Sequence, residues 1–199
     1  MRSSCLTVFI AAIIFYSCHG QSGSKPTIVF NKEFHWKIEI PQGFESVPAE
    51  EWMKLQNRGT AAIEKTYDGK VENNAKTIFV FKSDQFNYFE SNWQPFDSTT
   101  DGNYLESFGS VNKVLYTTFE AQMPKAKLDS ASSQEVIDGK LFQVFRTTIT
   151  IPGKIVLESR MYSRLFGKKE FTVNIMTVDK EKQRILLNAC KNSTFSAKE

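Results

Sequence analysis

Between residues 34 and 40 apolar and polar side chains alternate: Phe34, Trp36, Ile38 and Ile40 against His35, Lys37 and Glu39. That two-residue period predicts a half-buried strand. Pro41 ends it and Gly43 permits the turn. Pro48 then opens a helix over 48–66, since its missing N–H would be unpaired there anyway. Trp52, Leu55 and, beyond Gly59, Ala61, Ala62 and Ile63 give that helix a short apolar face. Asp68-Gly69 marks a turn. Residues 77–81 (Thr-Ile-Phe-Val-Phe) predict a strand inside a sheet, and 86–96 predict its partner, with Pro95 marking an edge or an exit. The clearest helix covers 104–123, where Leu105, Phe108, Val111, Leu115, Phe119 and Met123 recur at three- and four-residue spacing. Pro124 stops it.

The rest predicts a meander. Residues 135–137 meet 141–151 across Asp138-Gly139, and strands over 154–166 and 169–178 follow turns at Pro152-Gly153 and Gly167-Lys168. Asp179 caps a last helix over 179–191 that buries Ile185, Leu186 and Ala189, with Cys190 behind them. Two-residue turns would fix the register. Arg160 would then face Phe145 on one side and Ile175 on the other, Val144 would face Met161, and Leu157 would face Val178. One face collects Phe142, Val144, Leu157, Met161, Met176 and Val178. The other collects Phe145, Ile149, Tyr162, Phe171, Val173 and Ile175. A sheet apolar on both faces needs cover on both. The expected class is therefore α+β, an antiparallel sheet of about six strands with helices packed on both faces.

Ile38-Glu39-Ile40-Pro41-Gln42-Gly43-Phe44 resembles the strand, Pro and Gly opening of the PsbP/Mog1-like fold. The closing run 169–176 (Lys-Glu-Phe-Thr-Val-Asn-Ile-Met), the helix after it and Ser193-Thr194-Phe195 resemble that fold as well. The likeness covers most of residues 28–195 and rests on packing motifs. It implies a docking module: known members include a photosystem assembly subunit and a small-GTPase-binding protein. It carries no catalytic residues with it.

The first residues change the picture of where the protein works. Arg2, an apolar run from Leu6 to Tyr16 and small residues after it have the layout of a signal peptide. The run is too short to span a bilayer, which takes about 20 residues. Ser17-Cys18 resembles the end of a lipobox of the loose kind found in Bacteroidota lipoproteins, although Phe15 stands where Leu is usual and Tyr16 is bulky. On that reading residues 1–17 are the leader, 18–26 are the lipidated Cys18 and a flexible tether, and 27–199 are one α+β domain. A cut after Gly20 is the alternative and would give a soluble secreted protein. Of the three cysteines, Cys5 leaves with the leader and Cys18 takes lipid, so Cys190 has no disulfide partner. Several acyl chains anchor durably, at about 0.8 kcal/mol per buried methylene. The residues after Cys18 lack the acidic run of surface-exposed lipoproteins of that phylum. The resemblance therefore implies an envelope protein facing the periplasm, from the outer membrane in preference to the inner.

Composition narrows the function classes. The 25 basic residues, one of them Arg2, stand against 22 acidic ones, which argues against a nucleic-acid module with its concentrated basic face. Of the two His, His19 falls in the tether and His35 on the first strand. One strand His and one distant Cys do not make a metal site. Cys190 could act as a nucleophile only if His35 folded against it. The chain has no G-x-S-x-G, G-x-x-x-x-G-K-[ST], G-x-G-x-x-G or H-E-x-x-H. No catalytic residue, metal or cofactor is therefore expected. The alternative is an envelope hydrolase or thiol enzyme built on an unfamiliar site.

Two features could bind. The aromatic segment Phe86, Tyr88, Phe89, Trp93, Phe96 has the residue types of interfaces, with core packing as the plainer role. Arg160, Tyr162 and Arg164 alternate on one strand face. Those arginines snorkel, pair with Glu158 or Glu170, or line an anion-binding cleft. Tyr88, Trp93, Phe96, Arg160, Tyr162 and Arg164 are thus the candidate binding surface. The expected partners are the membrane, through the lipid anchor, and an envelope protein or small ligand.

Overall fold

The computed structural model describes residues 27–70, 73–153 and 156–195. The leader, Cys18, His19 and the tether lie outside the described residues. The chain opens with a hairpin of β1 (Thr27–Asn31) and β2 (Trp36–Ile40), with Thr27 opposite Ile40. The predicted first strand begins two residues late, because Phe34 and His35 form the hairpin turn. The Phe34 amide donates to Asn31 Oδ1 at 3.0 Å, and His35 is exposed with φ of 47°. His35 is therefore a turn residue and not a strand residue.

Nine further elements follow β3 (Glu45–Ser46): α1 (Ala49–Tyr67), β4 (Lys76–Asp84), β5 (Asn87–Pro95), α2 (Tyr104–Gln122), β6 (Lys127–Ile137), β7 (Lys140–Thr150), β8 (Val156–Phe166), β9 (Lys169–Thr177) and α3 (Lys180–Lys191). β3 to β9 form one antiparallel seven-stranded sheet in the order β3-β4-β5-β9-β8-β7-β6. Asn103 and Asp179 cap α2 and α3, each side-chain oxygen accepting from two amides of the first turn.

The turns show which register inferences hold. Gly167, at φ of 60°, and Lys168 make the two-residue loop that sets Arg160 opposite Ile175, as predicted. The β7–β8 register differs by one residue. Thr150 pairs with Val156, so the loop around Pro152-Gly153 is longer than two residues. Arg160 faces Arg146, Val144 faces Tyr162, and Phe145 faces Met161. A one-residue slip exchanges the faces. Phe142 and Val144 consequently join Tyr162, Phe171, Val173 and Ile175, while Phe145 joins Met161.

The first of these faces carries the main core. The β1–β2 hairpin and α3 cover it, and Trp36, Phe81, Phe89, Phe142, Phe171, Leu186 and Phe195 fill it. Each such ring or chain contributes roughly 1.5–3 kcal/mol by leaving water. The segment after α3 is stitched to the hairpin, with Lys37 and Thr194 exchanging backbone hydrogen bonds at 2.8 and 2.9 Å.

Asp84, at the β4–β5 turn, ties this turn to α3. It accepts from Lys182 Nζ at 2.7 Å, the Phe86 amide at 2.9 Å and Asn87 Nδ2 at 2.9 Å. Burial alone would raise its pKa. The bonds from Lys182, Phe86 and Asn87 outweigh that and hold the carboxyl well below its ordinary 3.8. A depressed carboxylate stabilises the fold above its unfolded pKa, and the contribution fades as the pH falls below that value. Asp84→Asn is therefore expected to unfold at lower urea than wild type at pH 7. The gap should narrow as the pH falls from 4 towards 2; a gap that widened on acidification would contradict the assignment.

Candidate ligand cleft

The other face of the sheet is roofed by α1 and α2, which leave a cleft of about 600 Å³ between themselves and the strands. Its size is that of a small-molecule site. The stripe predicted on α2 divides here. Phe108 is buried, Leu105 is 55 % exposed, and Val111, Leu115, Phe119 and Met123 line the cleft. Trp52, Leu55, Ala62 and Ile63 of α1 line it from the opposite side. These apolar positions pack on the cleft wall and not on the main core.

The floor comes from strict alternation in two adjacent central strands. On β5 the even positions Tyr88, Glu90, Asn92 and Gln94 point into the cleft while Phe89 and Trp93 point to the core. On β9 Glu170, Thr172, Asn174 and Met176 do the same. The two sets pair directly: Tyr88 with Met176, Glu90 with Asn174, Asn92 with Thr172, Gln94 with Glu170. Directly opposed residues share a face, so one polar band runs down the middle of the floor.

Neutral donors hold its carboxylates. Glu90 Oε1 accepts from Trp52 Nε1 and Gln56 Nε2, both at 2.8 Å, and Oε2 accepts from Asn174 Nδ2 at 3.2 Å. The Trp52 ring meets the Tyr88 ring edge-on at 4.9 Å. Burial pushes the Tyr88 phenol far above its ordinary value, and the Glu90 charge adds to this. Glu170 Oε1 accepts from Ser163 Oγ at 2.7 Å and Oε2 from Gln94 Nε2 at 2.8 Å. Ser163 in turn bonds the Tyr104 hydroxyl at 2.8 Å. Burial lifts that phenol to about 12. Glu170 pairs with Gln94, four residues from Glu90, which sets the two backbone positions roughly 13 Å apart along the strands. No hydrogen-bond donor is shared between the two carboxylates among the described residues.

The six residues of the predicted surface do not meet. Tyr88 lines the cleft. Trp93 lies on the opposite face, between Lys76 and Lys169, whose ammonium groups sit 4.9 and 5.1 Å from its ring. Phe96 is buried edge-on against Tyr104 at 5.8 Å. Arg160, Tyr162 and Arg164 do share a face, the one opposite the cleft. Arg160 pairs with Glu158 at 3.1 Å and Glu135 at 3.5 Å. The buried Tyr162 donates to Glu135 Oε2 at 3.3 Å, and Arg164 donates to the Leu141 carbonyl at 2.7 Å. The arginines are thus engaged within the protein, although the Nε of Arg160 and of Arg164 is buried without a hydrogen-bond partner. Cys190 is buried in the main core, where burial pushes its thiol to about 12 and the Glu135 charge adds to the effect. It is a packing residue far from thiolate chemistry, and the exposed His35 is not a base against it. Among the described residues no group of three or more His, Cys, Asp or Glu is placed to hold a metal. No described helix is long and apolar enough to cross a membrane.

Glu90, Glu170, Gln56 and Asn174 were not picked out by motif. Their signal is the even-position polarity of 88–94 and 170–176, which only the pairing of β5 with β9 turns into a floor.

Sheet order, covering helices and the opening hairpin define an α+β fold of the PsbP-like kind. The solution structure of cyanobacterial PsbP (CyanoP) from Synechocystis sp. PCC 6803 is similar to the chain, with a TM-score of 0.56 and 10 % identity over 92 % of this chain and 99 % of that one. No protein-family model matches the sequence, and no curated protein matches it by sequence.

Proposed function

We propose that the chain is an envelope lipoprotein that works as a non-catalytic binding module. Cys18 tethers it to a membrane on the periplasmic side, and the α1–α2 cleft receives a small ligand. The observation that carries the binding role is the cleft itself: apolar helical walls over a floor whose polar groups are fixed in place. Ligand sites have that composition, mostly apolar with a few placed polar groups. Its carboxylates are each held by a separate set of neutral donors, an indole and amides on Glu90 and an amide and a hydroxyl on Glu170, which favours binding over hydrolysis. The leader and the residues around Cys18 support the anchor.

Two measurements test the reading. Cys18→Ser is expected to move the protein from the membrane fraction to the soluble fraction and to end incorporation of labelled fatty acid. Retention in the membrane with label still attached would refute the anchor. For the cleft, the soluble domain is expected to bind decanol below its solubility limit with saturable heat in calorimetry. Absence of saturable binding would refute the cleft.

A further inference from the structure

The floor of the cleft has a charge without a counter-charge. Among the described residues three glutamates are at least nine-tenths buried: Glu90 at 8 %, Glu158 at 7 % and Glu170 at 8 % exposure. Glu158 lies on the face opposite the cleft and has two cations, Arg160 at 3.1 Å and Lys180 at 3.5 Å. Together with Gln183 they overcome the burial that opposes its charge and hold its pKa low. The two in the cleft have none: among the described residues no cationic nitrogen lies within 4.0 Å of Glu90 or Glu170. Among the described residues no Lys, Arg or His lines the cleft. Buried carboxylates are normally paired, and departures from such rules concentrate at functional sites.

The hydrogen bonds leave room for a partner. A carboxylate has about four acceptor positions, two on each oxygen. On Glu90 the indole of Trp52 and the amide of Gln56 fill Oε1, while Asn174 takes one position on Oε2. One position on Oε2 remains. The Trp52 ring that bonds Oε1 meets the Tyr88 ring edge-on at 4.9 Å, and both rings line the cleft with Glu90. Aromatic faces next to a carboxylate attract an ammonium by cation–π and charge-assisted hydrogen bonding, both strengthened where water is excluded. The apolar roof formed by Leu115, Phe119 and Ile63 suits a hydrocarbon body.

We propose, building on the reading of the cleft as a ligand site, that its occupant is a cationic amphiphile: an amine head seated at Glu90 on the cleft wall that Trp52 and Tyr88 share, with an apolar chain running beneath α1 and α2. Fatty acids and other anionic amphiphiles would bind more weakly, because their head would meet two carboxylates and, among the described residues, no cation.

Calorimetric titration at pH 7 with decylammonium and decanoate below their micelle concentrations, and with decanol below its solubility limit, tests this. Decylammonium is expected to bind at least tenfold more tightly than decanoate, with decanol between them. Glu90→Gln should lose at least fivefold in decylammonium affinity while holding decanol unchanged. Glu181→Gln, which removes an equal charge from α3 on the other face, should change neither. Gln56→Lys provides a second route should Glu90→Gln fold poorly, since the added ammonium would neutralise Glu90 and weaken decylammonium binding. Decanoate binding as tightly as decylammonium would overturn the charge assignment and leave the cleft reading intact. Failure of all three probes to bind would overturn both.

Discussion

Trp36→Ala is expected to lower the unfolding free energy by about 3–5 kcal/mol, the range for removing a buried aromatic ring. Trp36 is fully buried, and its indole lies 5.0 to 6.2 Å, centroid to centroid, from the rings of Phe79, Phe89, Phe171 and Phe195. These come from β4, β5, β9 and the segment after α3, so one side chain joins the hairpin, the middle of the sheet and the chain's return. The hairpin itself is two short strands, which alone are marginal in water. Losing the indole should loosen it as a unit. Urea unfolding followed by near-ultraviolet circular dichroism would measure the loss. Trp36→Phe should recover most of it by keeping a ring in place. A loss below about 1 kcal/mol for the alanine variant would mean that the surrounding rings collapse into the space, as well-relaxing sites do.

Gly59→Phe is expected to close the cleft and leave the fold standing. Gly59 is inside α1 on the cleft wall, and a Cβ added there meets no atom within 4 Å. The helix runs through it unbroken, although glycine within a helix costs about 1 kcal/mol relative to alanine. Gly59→Ala should therefore raise stability by roughly 0.5–1 kcal/mol and leave decanol binding as it is. The benzyl group of the phenylalanine variant would instead occupy the space between α1 and α2. Decanol and decylammonium affinity should both fall at least tenfold, with the melting temperature level or raised. Unchanged affinity in a folded Gly59→Phe protein would move the ligand site elsewhere.

Helices and the fold class were legible because they depend on local patterns. The stripe from Leu105 to Met123 has helical period whatever it packs against, and Asp179 marks a start that needs only its own next turn. Asp138-Gly139 and Gly167-Lys168 fix hairpins for the same reason. The β7–β8 register slipped because Pro152-Gly153 has the composition of a two-residue loop and the chain uses more. β1 was missed, since residues 27–30 carry no alternation. Most of β6 was missed too, since residues 129–134 are polar apart from Ala131, as suits an edge strand. The cleft was the least legible feature. Polar residues at alternate positions of β5 and β9 look like ordinary solvent-facing positions. Only the non-local pairing of those strands under α1 and α2 brings Glu90, Asn174 and Glu170 onto one floor. The aromatic segment misled in the opposite sense, because Phe89 and Phe96 have the residue types of an interface and the burial of a core.

The order of the strands has a mechanical corollary. β3, β4 and β5 form one plate and β6, β7 and β8 another, and β9 is the hinge-pin between them, bonded to β5 on one edge and β8 on the other. The two plates cannot lock until β9 slots in, a non-local closure that slows folding. Glu90 sits on the first plate and Asn174 on the pin itself. A guest resting on both would fasten β9 to that plate, and by mass action each increment of occupancy would tighten the joint.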